Sequence, residues 1–342
     1  MELKIIDQMR SNRFYLSFAL LIISACIPLL IKDLFIIYVL TLVNIFTLYS
    51  SSWNLLAYSG QGSLGHAAFL GIGGFTSSLM AINLGIPPMI GVIIGGLFSA
   101  FIGLLIGLAC VRLRAWFLAM VTFGFSVIAE TVTRYFDPIT HGVFGFQTPL
   151  LVPSGLPFYY LSLLIAVLTI IFIYLVMNSK IGLAFRAIRE NEQEARMSGI
   201  NTATYKLLAF VLCTFLAGLS GAIYAHFLRY INVTIYNPAN SFKPLMMAVI
   251  GGLGTIEGPI IGSIILVFIE SFLPTLDKRI NAVMGRFFPE VSNVGPPLRF
   301  LGIGVFLVVI VIFVPKGFSS LLRKIYNRAL GSESEAGGII NE

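Results

Sequence analysis

Residues 34–56, 89–111 and 157–177 contain no Asp, Glu, Lys or Arg. Each is longer than the roughly 18 apolar residues that carry a helix across about 30 Å of hydrocarbon. Only 11% of the 342 residues are charged and 57% are apolar, whereas soluble domains carry about 25% charged residues. Such a chain cannot clothe a water-facing surface. A transmembrane barrel would show short alternating segments of about ten residues, and these are absent. The fold class is therefore all-α: a polytopic transmembrane helical bundle.

Apolar segments fall at 14–31, 34–56, 64–84, 89–111, 115–136, 157–177, 205–228, 243–272 and 298–315. Lys4, Arg10 and Arg13 precede the first, which exceeds a signal-peptide core and lacks a small-x-small cleavage site, so it reads as a retained helix. Basic residues cluster at the N-terminus, at Arg112 and Arg114, across Lys180 to Lys206, and from Lys316 to Arg328. The positive-inside rule places all four in the cytoplasm, both termini included, and loops 137–156, 229–242 and 274–297 outside. The net charge of +7 thus marks topology and is no nucleic-acid footprint. The crossings balance if 243–272 enters and returns on one side, broken at "GGLGTIEGP"; a short crossing within 274–297 is the alternative. The bundle therefore contains broken or re-entrant helices. Residues 1–330 are expected to form one membrane domain, and 331–342 ("GSESEAGGIINE") a disordered tail.

Two glycine-rich, uncharged breaks are candidate sites. In the first, Gly60 to Gly62 interrupt the chain and Ser63 is placed to cap the helix beginning Leu64–Gly65–His66. A broken helix offers free N–H groups to a carboxylate, so Gly60, Gln61, Gly62, Ser63, Gly65 and His66 are candidates for a solute pathway. Two other readings stay open: glycines that let helices approach closely, and a tight cytoplasmic-side turn lining a gate. In the second break, Gly251, Gly252 and Gly254 are read as a gate or a packing hinge. Glu257 beside it, like Glu270, is an intramembrane acid, placed either in a site or at a helix N-terminus. Cys26, Cys110 and Cys213, and His66, His141 and His226, are too scattered for a metal centre.

The longest charged loop spans 179–204. Between Gly182 and Gly199 it has an amphipathic helical period, with Ile181, Phe185, Ile188 and Ala195 on one face. Arg186, Arg189, Glu190, Gln193 and Arg196 lie opposite, and Arg186–Glu190 and Glu192–Arg196 are spaced to pair. Gly199 suits a helix C-terminus, and Asn201 an N-cap for the next helix. Glu130 and Arg134 are likewise spaced to pair. The mixed charges suit a groove in a protein partner better than anionic lipid.

"GLAFRAIRENEQEARMSGINTATYKLLAFVLCTFLAGLSGAIYA", "YSGQGSLGHAAFLGIGGF", "AVIGGLGTIEGPIIGSIIL", "RLRAWFLAMVTFGFS", "THGVFGF" and "PKGF" resemble, in order, blocks of LivM-type permeases of branched-chain amino acid ABC importers. The resemblance covers roughly residues 35–325. Ala115, His141 and Ser320 stand where glycines are usual, and Lys243–Pro244 lie in a stretch often acidic or apolar in relatives. The resemblance implies a multi-pass subunit of a bacterial or archaeal cytoplasmic (inner) membrane, moving branched-chain or other small amino acids. Its partners would be a second homologous permease, two cytoplasmic ABC ATPases and an extracytoplasmic solute-binding protein. ATP and Mg would belong to the ATPases, with no cofactor in this chain. Phe185, Arg186, Arg189, Glu190, Glu194 and Gly199 would couple to the ATPase through one rigid helix. A sister group for urea and short amides and a secondary transporter are the alternatives. No Walker A sequence occurs, and no His, Asp or Cys constellation favours a membrane enzyme.

Overall fold

The computed structural model describes residues 33–110 and 115–287, Leu113, and scattered positions at 24–28 and 302–320. The expected first helix, most of the last crossing and the tail at 331–342 lie outside the described residues. Long helices α1 (Leu34–Tyr58), α2 (His66–Asn83), α3 (Pro88–Cys110) and α4 (Ala115–Tyr135) come first. A short turn α5 (Asp137–Thr140) and strand β1 (Phe146–Gln147) lead into α6 (Leu156–Asn178). Then come α7 (Lys180–Glu190), α8 (Glu192–Met197) and α9 (Thr202–Leu228). Strand β2 (Tyr230–Ile231) and a 3-10 turn (Val233–Tyr236) precede α10 (Pro238–Gly251) and α11 (Glu257–Phe287). Within the described residues, α1, α3, α6, α9 and Trp116–Tyr135 of α4 are long and apolar enough to cross a membrane.

Small residues let α2, α3 and α9 pack backbone to backbone. A Cβ on Gly73 would lie 2.1 Å from the Gly218 carbonyl oxygen, and one on Gly221 1.8 Å from that of Leu70. This close approach is what draws membrane helices together when lipid offers no hydrophobic gain. Several polar groups inside pair across helices, which lowers their cost in hydrocarbon. Ser99 donates to Thr214 O at 2.9 Å. His226 is bonded through Nε2 to Ser77 at 2.8 Å and through Nδ1 to Pro149 O at 2.7 Å. His226 is thus a structural clamp.

Two ends of the bundle are defined by contacts. At one, α1 ends beside α7, the 252–256 turn and Gly317: Asn54 donates to Thr255 O and accepts from Gly254 N. A Cβ on Gly317 would lie 2.4 Å from Gly252 Cα. At the other end, β1 pairs antiparallel with β2, Phe146 opposite Ile231. That two-stranded ladder was not foreseen from the sequence.

The second half keeps the break and the same-side return expected over 243–272, but runs deeper than a re-entrant hairpin. From β2 the chain descends through the 3-10 turn into α10, whose 14 residues span only about 21 Å. It then reverses at 252–256 beside α7 and climbs through α11, which is 31 residues long. Residues 230–251 therefore traverse the bundle once, through a short strand, a 3-10 turn and α10, and α11 traverses it again. The hairpin assumed that the apolar run alone marked the crossing. The polar stretch "YINVTIYNPAN" can enter because protein surrounds it, with Val233, Ile235 and Tyr236 buried.

Pro244 inside α10 has no N–H for the carbonyl four residues earlier, Asn240 O. The Tyr49 hydroxyl donates to that oxygen instead, at 2.9 Å. Ser241 in turn accepts from Ala67 N at 3.1 Å, satisfying one of the free amides at the start of α2.

Candidate functional site

The charged loop folds locally as its sequence suggests, with one difference. Ser179 caps α7 by accepting from Ile181 N, and Gly182, Ala184, Phe185 and Ile188 turn inward. Asn191 then breaks the helix: its extended backbone and side-chain oxygen cap α8 through Gln193 N and Glu194 N. The loop is two short helices where one rigid helix was expected, because an Asn that bonds the next turn competes with helix continuation. Gly182 lies within α7, against Met177, and does not mark its start. Gly199 closes α8 with φ +82°, and Asn201 caps α9 by accepting from Thr204 N, both as expected.

The charges arrange themselves around this break. Arg196 pairs with Glu192 at 3.4 Å, and Lys206 of α9 pairs with the other oxygen of Glu192. Burial pushes the Glu192 carboxyl up, but the Lys206 bond and charge, with Thr202 and Arg196, outweigh it and hold the group below its ordinary value. Arg186 donates to Met177 O at the end of α6 and does not form the expected pair with Glu190. Phe185 is fully buried with its ring 6.4 Å from Tyr205. It fixes the loop to the bundle and presents nothing outward. The outward surface carries Arg186, Glu190, Glu194 and Arg196, together with exposed Leu183 and Met197, two apolar residues that the amphipathic pattern did not single out.

Arg189 brings the three sequence features together. Its Cα lies 3.1 Å from where a Gly60 Cβ would sit, and its Nη1 2.2 Å from the same position at Gly254. Both turns have the positive φ that glycine tolerates, +73° at Gly60 and +70° at Gly254. The loop helix thus rests on both breaks at once.

The 60–65 break itself lies at this end of the bundle, not at mid-depth. Gln61 donates to Lys206 O at 3.0 Å and to Ser59 at 2.8 Å. The Ser63 carbonyl accepts from Trp53 at 2.8 Å, and its hydroxyl accepts from Gly65 N. Ser63 does not cap α2: the helix starts at His66, with Gly65 at the cap position. Gly65 is pressed against Thr122, whose carbonyl oxygen would be 1.7 Å from a Cβ there, while a Cβ on Gly62 would meet nothing within 4 Å among the described residues. His66 is fully buried, bonded through Nε2 to Ser52 at 2.7 Å. Because the Ser52 hydroxyl already donates to Tyr49 O, Nε2 carries the proton, leaving Nδ1 buried without a partner among the described residues. Gln61, Ser63, Gly65 and His66 are all buried and hold the turn in place.

In the second break, Gly251 packs on Gly258, whose carbonyl oxygen would lie 1.7 Å from a Cβ. Glu257 occupies the first turn of α11, fully buried, with both carboxyl oxygens unpartnered among the described residues.

A further polar feature lies between α1, α10 and α11, where the sequence had suggested only isolated ionisable residues. Lys243 of α10 pairs with Glu270 of α11 at 3.0 Å. Its ammonium stands 5.2 Å from the ring centre of Phe46, the midpoint residue of α1. The pair borders a 260 Å³ cleft that follows α1 from Phe35 to Phe46.

A bundle of crossing helices, broken near a docked polar loop, is the architecture of a multi-pass membrane permease. The family profile for "Branched-chain amino acid transport system / permease component" matches residues 35–314, and the chain belongs to that family. It is 26% identical to the Escherichia coli high-affinity branched-chain amino acid transport system permease protein LivM, over 89% of this chain and 74% of that one. It is 37% identical to the companion permease LivH of the same organism, over 27% of this chain and 30% of that one. The autoinducer 2 import system permease protein LsrC of Yersinia pseudotuberculosis is 26% identical over 58% of each chain. No solved structure matches this chain at a significant level.

Proposed function

We propose that this chain is a membrane-spanning subunit of an ABC importer, translocating branched-chain or other small amino acids with ATP hydrolysed on separate subunits. A second homologous permease, two cytoplasmic ATPases that bind ATP and Mg, and an extracytoplasmic solute-binding protein complete the machine. The loop end of the bundle, with both termini, faces the cytoplasm of a bacterial or archaeal cell. The observation that carries this reading is the seat of Arg189 on the Gly60 and Gly254 turns. A push on the exposed face of α7 and α8 reaches both helix breaks without an intermediary. The names of the LivM and LivH relatives support amino acids as cargo.

The test is solute-stimulated ATP hydrolysis by the complex co-purified from native membrane, with leucine, urea and unrelated amino acids compared. Stimulation by leucine supports the reading; stimulation by urea alone moves the chain to an amide permease. Uptake driven by a proton gradient without ATPases replaces the reading with secondary transport. Gly199→Pro forces φ from +82° to about −65°, and Glu194→Arg breaks the bond from Asn191 to Glu194. Both variants are expected to insert normally yet hydrolyse ATP without uptake, and normal transport in both would remove the coupling role from the loop.

A further inference from the structure

We propose that Lys243 and Glu270 form a transient binding site for the backbone of a zwitterionic amino acid on its route through the bundle. The proposal rests on the importer reading above and names the solute groups that this site would hold. An ion pair is costly to place among apolar helices, and ionisable residues at membrane depth mark ligand or ion pathways far more often than they stabilise. This pair joins α10 to α11, the two helices on either side of the 252–256 break. Both side chains keep some exposure, 21% for Lys243 and 27% for Glu270, and that exposure opens onto the cleft along α1.

The dimensions and chemistry of the cleft suit one small solute. Its 260 Å³ lies just below the usual 300–1,000 Å³ of small-molecule sites. Phe46, Leu42 and Val267 supply an apolar wall, and Tyr38 and Tyr224 add hydroxyls. The rim at Phe35 lies near the start of α1, at the end remote from the charged loop. At its other end the cleft is lined by Phe46 and Lys243.

A zwitterion fits this pair by exchange. Its carboxylate takes the Lys243 ammonium and its ammonium takes the Glu270 carboxylate, so one ion pair becomes two with no net charge added. A cationic or anionic solute would leave net charge in a low dielectric, and an uncharged solute would have to part the pair without replacing it. On departure, Lys243 and Glu270 recombine, which lowers the cost of release; conduction needs binding weak enough to let go. Half-helix geometry at mid-depth is a recurring setting for such sites. Here the half-helix is α10, not the break at 60–65.

The experiment uses the full complex in proteoliposomes and labelled leucine. Lys243→Met/Glu270→Gln removes both charges with little change in shape and is expected to lower leucine uptake at least about tenfold in complex recovered at the wild-type amount. The exchanged pair, Lys243→Glu/Glu270→Lys, is expected to recover uptake to within about threefold. Glu130→Gln, which opens the pair with Arg134 elsewhere, is expected to transport normally. Wild-type uptake by the neutral pair would show an ion pair that only joins helices and would overturn the proposal while leaving the importer reading intact. Failure of the wild-type complex to move leucine with ATP would instead sink both. A second measurement covers variants that do not assemble. In wild-type complex, excess leucine is expected to slow acetylation of Lys243 by a membrane-permeant anhydride, whereas leucinol and 4-methylpentanoate, each lacking one charge, are not. Equal protection by all three, or none by leucine, overturns the site.

Discussion

Single contacts carry consequences that can be measured one residue at a time. Tyr49 exists in its present role because of Pro244: a hydroxyl from another helix replaces a missing amide donor at Asn240 O. Tyr49→Phe leaves that carbonyl unpaired and is expected to cost about 1–3 kcal/mol, read as a lower denaturation midpoint in detergent. Adding Pro244→Ala supplies an N–H within α10 and is expected to recover most of the loss, a coupling that a double-mutant cycle measures. Gly73→Val directs a methyl group at the Gly218 backbone, 2.1 Å from a Cβ. Overpacking of about 1–3 kcal/mol is expected, with less folded protein recovered. Contacts between sequence neighbours were legible beforehand: Glu192–Arg196 and Glu130–Arg134 follow from helical spacing, and Asn201 from its place before an apolar run. Tyr49–Asn240 and Lys243–Glu270 were not, because no local period links α1 to α10 or α10 to α11.

At the level of elements, the loop between α6 and α9 is a jointed pair whose halves are held differently. α7 is fixed to the bundle by Phe185 and Ile188, both buried, and by Arg186 on Met177 O. α8 is tied to α9 mainly through Glu192 and Lys206. Because the Glu192 carboxyl is held below its ordinary 4.5, that tie contributes fully above about pH 4.5. It is lost as pH falls through the lowered value, since protons then favour the released form. Hydrogen exchange in 191–199 is expected to quicken below that pH while 180–190 stays protected. Asn191→Ala removes the cap on α8 and is expected to destabilise it by about 1 kcal/mol, with the same exchange signature at neutral pH. The amphipathic pattern announced this element, yet it hid the joint. Apolar spacing continues through Asn191, and only the competition between side-chain capping and helix continuation stops α7 there.

For the whole molecule, the route of the chain after α9 is the decisive feature. Residues 230–251 and then α11 traverse the bundle in opposite directions, so Leu253 belongs to the same end as Met197, and Phe144 to the opposite end. All three are exposed. In sealed vesicles, with native cysteines replaced, Leu253→Cys and Met197→Cys are expected to react with an impermeant thiol reagent from one side, and Phe144→Cys from the other. Labelling of Leu253→Cys together with Phe144→Cys would restore the re-entrant hairpin. Composition and uncharged runs by themselves determined that this is a helical membrane bundle, because only helices and closed barrels satisfy their backbone in hydrocarbon and the short alternating segments of a barrel are absent. They also located the charged loop and both glycine breaks, which are local departures from apolar helix. Only tertiary structure decided that the breaks meet beneath Arg189, that a polar segment enters the bundle before α10, and that Lys243 finds Glu270. Those outcomes depend on which helix faces which, set by close packing and by pairing of polar groups across the chain, and neither has a period that a single sequence displays.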